Sequence, residues 1–198
     1  MHKDVTGAIL TGGESRRMGR DKATLEFNGE PLVKKAVRLF GELFPHVLVV
    51  NKAPGSFGDL GCEEVADLFA ERGAMVGVLT ALAAAKTGYV FVAACDMPFL
   101  KRELIELILS KDRRFSVVLP RIGGKGDPLH AFYAKSCYDA MRIFMNEEGK
   151  SLNAFIGSLP PEEVGYVSEE EIRGVDPEAI ALFNMNTPDD YEKAKKIY

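Results

Sequence analysis

Val5-Thr6-Gly7-Ala8-Ile9-Leu10 runs without a break into Thr11-Gly12-Gly13-Glu14-Ser15-Arg16-Arg17-Met18-Gly19-Arg20-Asp21-Lys22. The first six residues are apolar or small with β-branched members, as expected of a strand covered on both faces. The next twelve are glycine-rich and basic. A long connection of this kind lies outside the carboxyl end of the strand, which is where open α/β sheets bind ligands. Glycines let backbone N–H groups approach a polyphosphate, and Arg16, Arg17, Arg20 and Lys22 can add charge-assisted hydrogen bonds. A basic surface loop with a glycine pair at a helix turn is the plainer reading. Three arginines and a lysine behind a buried strand favour a phosphate-binding loop.

The rest of the chain repeats the alternation. Pro31 opens an amphipathic helix running to about residue 44, and His46–Asn51 is a second apolar strand. A short strand is expected at Glu63–Ala66, an alanine-rich helix over 74–86, and a nearly wholly apolar central strand over 89–95 that Asp96 ends. A helix over 101–110 and a strand over 115–119 follow, then the glycine-rich loop 123–126. Beyond it the alternation loosens, with a strand over 128–134 and helices over 136–145 and 151–159. Pro160-Pro161 is a break, Glu169-Glu170-Glu171 a solvated helix start, and Thr187 with Pro188 caps a last helix. Strands alternating with helices indicate an α/β fold around a mostly parallel sheet.

Composition excludes several function classes. The 198 residues suit one domain, and 46% hydrophobic with 27% charged residues is ordinary globular usage. No apolar run approaches the roughly 20 residues of a membrane helix. The N-terminal four residues leave no room for a signal peptide before the first strand, so a cytoplasmic location is expected. Cys62, Cys95 and Cys137 are too far apart for a CxxC pair, and His2, His46 and His130 form no zinc spacing. Twenty-five basic against 29 acidic residues, net −4, argues against nucleic acid as a partner. The loop is not a Walker A sequence, since no GK[ST] follows Gly13, and it lacks the GxGxxG of dinucleotide folds.

Residues 10–22 resemble the LAGGxSxRMGxDK signature of small nucleotidyltransferases, in particular the molybdenum cofactor guanylyltransferase family. The resemblance continues through Pro31-Leu32, Asn51 at the end of the second strand, Asp67 after the third, and Asp96-Met97-Pro98-Phe99. It ends with Pro128–Tyr133 and with Asn184-Met185-Asn186-Thr187-Pro188-Asp189-Asp190-Tyr191, covering essentially the whole chain. It implies a three-layer Rossmann-like nucleotidyltransferase fold with helices on both faces of the sheet. A single domain over 1–198 is expected, with residues 1–100 holding the nucleotide and 101–198 the molybdopterin.

The implied substrates are GTP and molybdopterin, with Mg²⁺ as cofactor and transient contact with molybdoenzymes or insertion chaperones. Leu10, Thr11, Gly12, Gly13, Lys22, Asn51, Asp67, Gly73, Gly77 and Asp96 are then the nucleotide-binding residues. Arg17, Lys22 and Asp96 are catalytic, Asp96 holds the metal, and Asn184, Asn186 and His130 meet the pterin.

Most of these positions also have a physical reading of their own. Asp96 at a strand exit is a hard oxygen donor suited to Mg²⁺, or else a helix cap. Asn51 can instead turn the chain on its own backbone, and Asp67 can be a cap rather than a base or ribose contact. Gly73-Ala74-Met75-Val76-Gly77 stands where the family has GPLAG, keeping both glycines. Thr11 replaces an alanine, and its hydroxyl can face a neighbouring backbone group. Asn184 and Asn186, two apart on an extended segment, face one side with the mixed donors and acceptors a pterin needs; as the alternative, Asn186 forms a turn. His130 in an apolar stretch is either packed or in contact with the pterin, and the 123–127 loop is placed near the second substrate. A cytidylyltransferase, a sugar-phosphate nucleotidyltransferase and a non-catalytic GTP-binding adaptor are the rival readings.

Overall fold

A computed structural model describes residues 1–12, 25–27, 29–69, 73–147, 149 and 151–197. Ten strands and seven α-helices follow in chain order among the described residues. The first half contains β1 (Val5–Leu10), the two-residue strands β2 (Glu26–Phe27) and β3 (Glu30–Pro31), α1 (Leu32–Leu43), β4 (His46–Asn51), β5 (Glu63–Ala66), α2 (Ala74–Ala84) and β6 (Tyr89–Ala94). Next come α3 (Arg102–Leu109), β7 (Val117–Ile122), β8 (Lys125–Gly126), β9 (His130–Ala134), α4 (Cys137–Glu147) and α5 (Leu152–Ser158). The chain finishes with β10 (Val164–Val167), α6 (Glu169–Val175) and α7 (Pro188–Ile197).

The main sheet has the order β10-β7-β9-β6-β1-β4-β5, with β8 folded back on β7 and β2 paired to β3 separately. β1 lies parallel to both β4 and β6, and β9 runs antiparallel between β6 and β7. The chain moves outward from β1 to β4 and β5, then returns to its other side as β6. That reversal opens a crevice beyond the carboxyl end of β1, because the flanking connections leave in opposite directions.

Both faces of the sheet are covered, giving three layers. Ala8, Leu10, Val50 and Val92 pack against α2, α4 and α5, while Ile9, Val49, Phe91 and Phe132 pack against α1, α3 and α6. A strand buried on both faces has no polar side, which is why Val5–Leu10 and Tyr89–Ala94 read as continuous apolar runs. Gly7 is required by close approach: a Cβ there would lie 2.4 Å from the Phe44 ring and 2.7 Å from Phe40. A third, smaller cluster of Phe27, Leu32, Phe99, Met185 and Ala194 anchors the last helix to the start of α1.

Several expectations shift slightly. Pro31 pairs in β3 and precedes the helix instead of occupying its first turn. The strand expected over 115–119 lies at Val117–Ile122, and the glycine-rich loop is a tight hairpin into β8. β10 extends the sheet beyond the double-proline break, parallel to β7. The acidic run does open a helix, through a capping box in which Ser168 and Glu171 bond each other's backbone N–H groups. Among the described residues no helix is long and apolar enough to cross a membrane.

Candidate active site

The crevice at the β1 reversal is a cavity of about 580 Å³. Its floor is the exit of β1: Leu10, Thr11 and Gly12 all line it. The Leu10 carbonyl accepts from the Cys95 backbone at 3.0 Å, and both the backbone N–H and the hydroxyl of Thr11 donate to the Val50 carbonyl, at 3.1 and 2.9 Å. The threonine hydroxyl is thus consumed in fixing the loop start to β4. Gly13, Arg16, Arg17, Arg20 and Lys22, which carry the phosphate-loop reading, lie outside the described residues.

One wall is built by β4, β5 and α2. Lys52 and Asp67 follow their strands into the cavity, and Gly73, Ala74 and Gly77 present the first turn of α2. Gly73 sits at φ 140°, the left-handed side of the map that favours glycine, and turns the chain into the helix. A Cβ on Gly12 would be 3.7 Å from Oδ2 of Asp67, so that carboxylate lies over the loop start. Burial pushes the Asp67 carboxyl above its ordinary range, and the Lys52 ammonium opposes the shift.

The opposite wall is built by the second half of the chain. Asp96 leaves β6 into the cavity, and its carbonyl accepts from the Met185 backbone at 2.9 Å, which holds the 184–186 segment against it. Met185 points inward to the Phe27–Phe99 cluster, so Asn184 and Asn186 both face the cavity, as an extended two-residue spacing requires. Thr187 caps α7: Asp190 N–H donates to its hydroxyl at 3.2 Å, and the Asp190 carboxylate accepts from Asn186 and Thr187 backbones at 3.1 and 2.9 Å. The cap therefore satisfies the backbone without using either asparagine side chain.

Asp127, which sequence reasoning placed only within a loop near the second substrate, lines the same wall. Its Oδ1 accepts from the Leu129 backbone at 2.9 Å, and the Asn184 amide, which donates to the Leu182 carbonyl at 3.4 Å, lies on the same wall. Burial raises its carboxyl above the ordinary range; those two donors pull it down and the Asp96 charge pushes it up. Lys52 was missed as well. The only signal for either residue was adjacency, Lys52 following Asn51 and Asp127 preceding Pro128.

Two expected residues are not brought into the cavity. The Asn51 side chain turns back on its own chain, donating through Nδ2 to the Ala53 carbonyl at 2.8 Å, while its neighbours Val50 and Lys52 face the crevice. His130 is fully buried under the other face of the sheet, with its ring edge-on to Phe91 at 5.3 Å and no hydrogen-bond partner for Nδ1 or Nε2. Burial drives its pKa down to about 3, so it sits neutral in the core and does not line the cavity. Its place off the cavity has a simple cause: in β9 alternate residues face opposite layers, and His130 falls on the side of Phe91 and Phe132.

At the exit of β6 the cavity offers the Asp96 carboxylate, a hard oxygen donor, with the amides of Asn184 and Asn186 on the same wall. Hard oxygen donors with few protein ligands suit Mg²⁺, which normally keeps waters and takes substrate phosphates for the rest of its octahedron. Among the described residues no cluster of three or more His, Cys, Asp or Glu residues able to hold a metal occurs.

Residues 7–163 match the model of the MobA-like NTP transferase domain. A probable molybdenum cofactor guanylyltransferase from Pelotomaculum thermopropionicum is 37% identical over 191 residues, covering 96% of this chain and 92% of its own. A molybdenum cofactor guanylyltransferase from Desulfosudis oleivorans is 31% identical over 96% of this chain and 94% of its own. The crystal structure of molybdopterin-guanine dinucleotide biosynthesis protein A from Archaeoglobus fulgidus superposes with a TM-score of 0.83 at 28% identity, covering 97% of both chains. The 2-C-methyl-D-erythritol 4-phosphate cytidylyltransferase of Thermus thermophilus, 20% identical with a TM-score of 0.67 over 96% of both chains, shares the fold. With its sheet reversal at β1 and a match spanning most of its length, this nucleotidyltransferase belongs to the MobA-like NTP transferase family.

Proposed function

We propose that the enzyme transfers GMP from GTP to the terminal phosphate of molybdenum-bound molybdopterin, releasing pyrophosphate and forming molybdopterin guanine dinucleotide. The observation that carries this reading is the layout of the cavity along the strand order. Asp67, Lys52 and Gly12 lie on the β5–β4–β1 side, Asp96 follows β6, and Asp127, Asn184 and Asn186 lie beyond it. A nucleotide and a second, polar heterocyclic substrate can occupy the two sides with the reacting phosphates meeting near Asp96.

In this reading the backbone from Leu10 to Gly13 and the side chains of Arg17 and Lys22 hold the triphosphate. Asp67 and the Gly73–Gly77 turn line the nucleoside end, and Asp96 is the residue that holds Mg²⁺. The metal, when bound, supplies charge stabilisation on phosphate oxygens. An oxygen of the molybdopterin phosphate attacks the α-phosphorus, a new P–O bond forms, and the bond to the β-phosphate oxygen breaks with its electrons leaving on pyrophosphate. The attacking monoester is already ionised at neutral pH, so no general base is needed and the chain's contribution is alignment and electrostatics.

Pyrophosphate release from GTP, CTP, ATP and UTP in the presence of molybdopterin and Mg²⁺ tests the reading. Release with GTP alone supports it. Preference for CTP gives the cytidylyltransferase alternative. GTP binding without pyrophosphate release gives the adaptor alternative.

A further inference from the structure

We propose that Asp127 selects the second substrate by accepting the two parallel N–H donors on the 2-amino-4-oxo edge of its pterin ring. The inference rests on the reading above that the second substrate is a pterin. Asp127 is held in place from several directions: its backbone N–H donates to Pro120 at 3.0 Å, its carbonyl accepts from His130 N–H at 3.4 Å, and its Oδ1 accepts from Leu129. The Asn184 amide lies on the same wall of the cavity. A carboxylate offers about four acceptor positions, so the bond from Leu129 leaves room for at least two more.

The surroundings restrict what those positions can take. Among the described residues no ion pair involves Asp127, and the like charge of Asp96 lines the same cavity. An ionised carboxylate accepts hydrogen bonds and donates none, so the part of the substrate lying against Asp127 must bring donors. On a pterin those are N3–H and the 2-amino group, which point the same way and match the two oxygens of one carboxylate, as a guanidinium does. Asn184 and Asn186 on the same wall supply amides that can both donate and accept, suited to the adjacent 4-oxo group. Asp127 is half-buried, so an acceptor left unpaired by the wrong ring is costly.

Fluorescence titration with 6-hydroxymethylpterin and 6-hydroxymethyllumazine, which carries a 2-oxo group in place of the 2-amino group, tests the assignment. The wild-type enzyme should bind the pterin at least about tenfold tighter, since the lumazine sets an oxygen against the carboxylate. Asp127→Asn presents one donor and one acceptor, complementary to the lumazine edge, and should abolish or reverse that preference while GTP and Mn²⁺ affinities stay unchanged. A wild-type preference for the lumazine, or an undiminished pterin preference in Asp127→Asn with GTP binding intact, overturns the role of Asp127 and leaves the pterin reading standing. Loss of Mn²⁺ affinity in Asp127→Asn with the pterin preference intact also overturns it, making the acid a metal ligand. Failure of the wild-type enzyme to bind either ring overturns the underlying pterin reading and the inference with it.

Discussion

The Met185 backbone N–H donates to the Asp96 carbonyl at 2.9 Å, tying the segment that carries Asn184 and Asn186 to the end of the central strand. A loop from the far end of the chain is thus positioned by the same residue that offers the cavity its carboxylate. Met185 itself is 1% exposed, wedged against Phe27, Leu32 and Phe99. Met185→Ala should cost about 2–5 kcal/mol of stability. Asn184→Ala and Asn186→Ala should leave the denaturation midpoint near wild type but raise KM for the pterin substrate by up to about tenfold each, the value of one hydrogen bond. Steady-state kinetics beside urea denaturation separates the two effects.

Gly7 and Gly41 give opposite outcomes for the same substitution. A methyl group at Gly7 meets two buried phenyl rings at 2.4 and 2.7 Å, neither of which has space to withdraw, so Gly7→Ala should destabilise by about 1–3 kcal/mol. Gly41 lies on the exposed side of α1 with nothing within 4 Å of a Cβ. Gly41→Ala should stabilise by about 0.5–1 kcal/mol, since it removes unfolded-state freedom in a helix interior. Urea midpoints with unchanged m-values check both signs.

Lys101 Nζ lies 2.6 Å from Oδ1 of Asp176, whose side chain is 1% exposed and whose Oδ2 accepts from the Ala181 backbone at 2.8 Å. The pair joins the start of α3 to the turn after α6. Lys101→Met strands a buried carboxylate and should cost about 3–5 kcal/mol, whereas the double variant Lys101→Met with Asp176→Asn should recover part of that loss. A double-mutant cycle by chemical denaturation measures the difference.

His130 sets a pH dependence. Its pKa in the folded chain is lowered by burial to about 3, below the unfolded value of 6.5, so the unfolded chain takes up a proton first as the pH falls. Its stability contribution is complete above pH 6.5 and is lost progressively from there towards pH 3, amounting to about 3 kcal/mol by pH 4. His130→Phe, placed against Phe91, should flatten that part of the stability curve between pH 6.5 and 4. Guanidinium unfolding of both proteins at pH 7 and pH 4.5 tests the sign and the size.

Much of this was legible in the sequence because it is local. The strands Val5–Leu10, His46–Asn51 and Glu63–Ala66 fall where the apolar runs end in polar or glycine-rich residues, and the acidic run Glu169-Glu170-Glu171 and Thr187 with Pro188 mark their helix starts. The direction of β9 was not legible, because His130–Ala134 carries the same apolar pattern whichever way it pairs and only the neighbours β6 and β7 decide. β10 was missed since Val164–Val167 is short, contains Gly165 and follows a proline pair.

The candidate site divides in the same way. Asp96, Asp67, Gly12, Asn184 and Asn186 arrive where a strand end or a two-residue spacing puts them. Asn51 and His130 do not, because which side of a strand end faces the crevice depends on pairing and on local side-chain turns such as the Asn51 bond to Ala53. Asp127 carries no spacing signal, and its place beside Asp96 exists only once β9 lies against β6.

The most direct test is the position of the α-phosphorus in a crystal structure of the enzyme with a non-hydrolysable GTP analogue and Mg²⁺. The account predicts it between the Leu10–Gly13 turn and the Asp96 carboxylate, with Lys22 reaching the triphosphate and the guanosine on the Asp67 side. A nucleotide lodged elsewhere, or one bound there with its metal out of reach of Asp96, would contradict it.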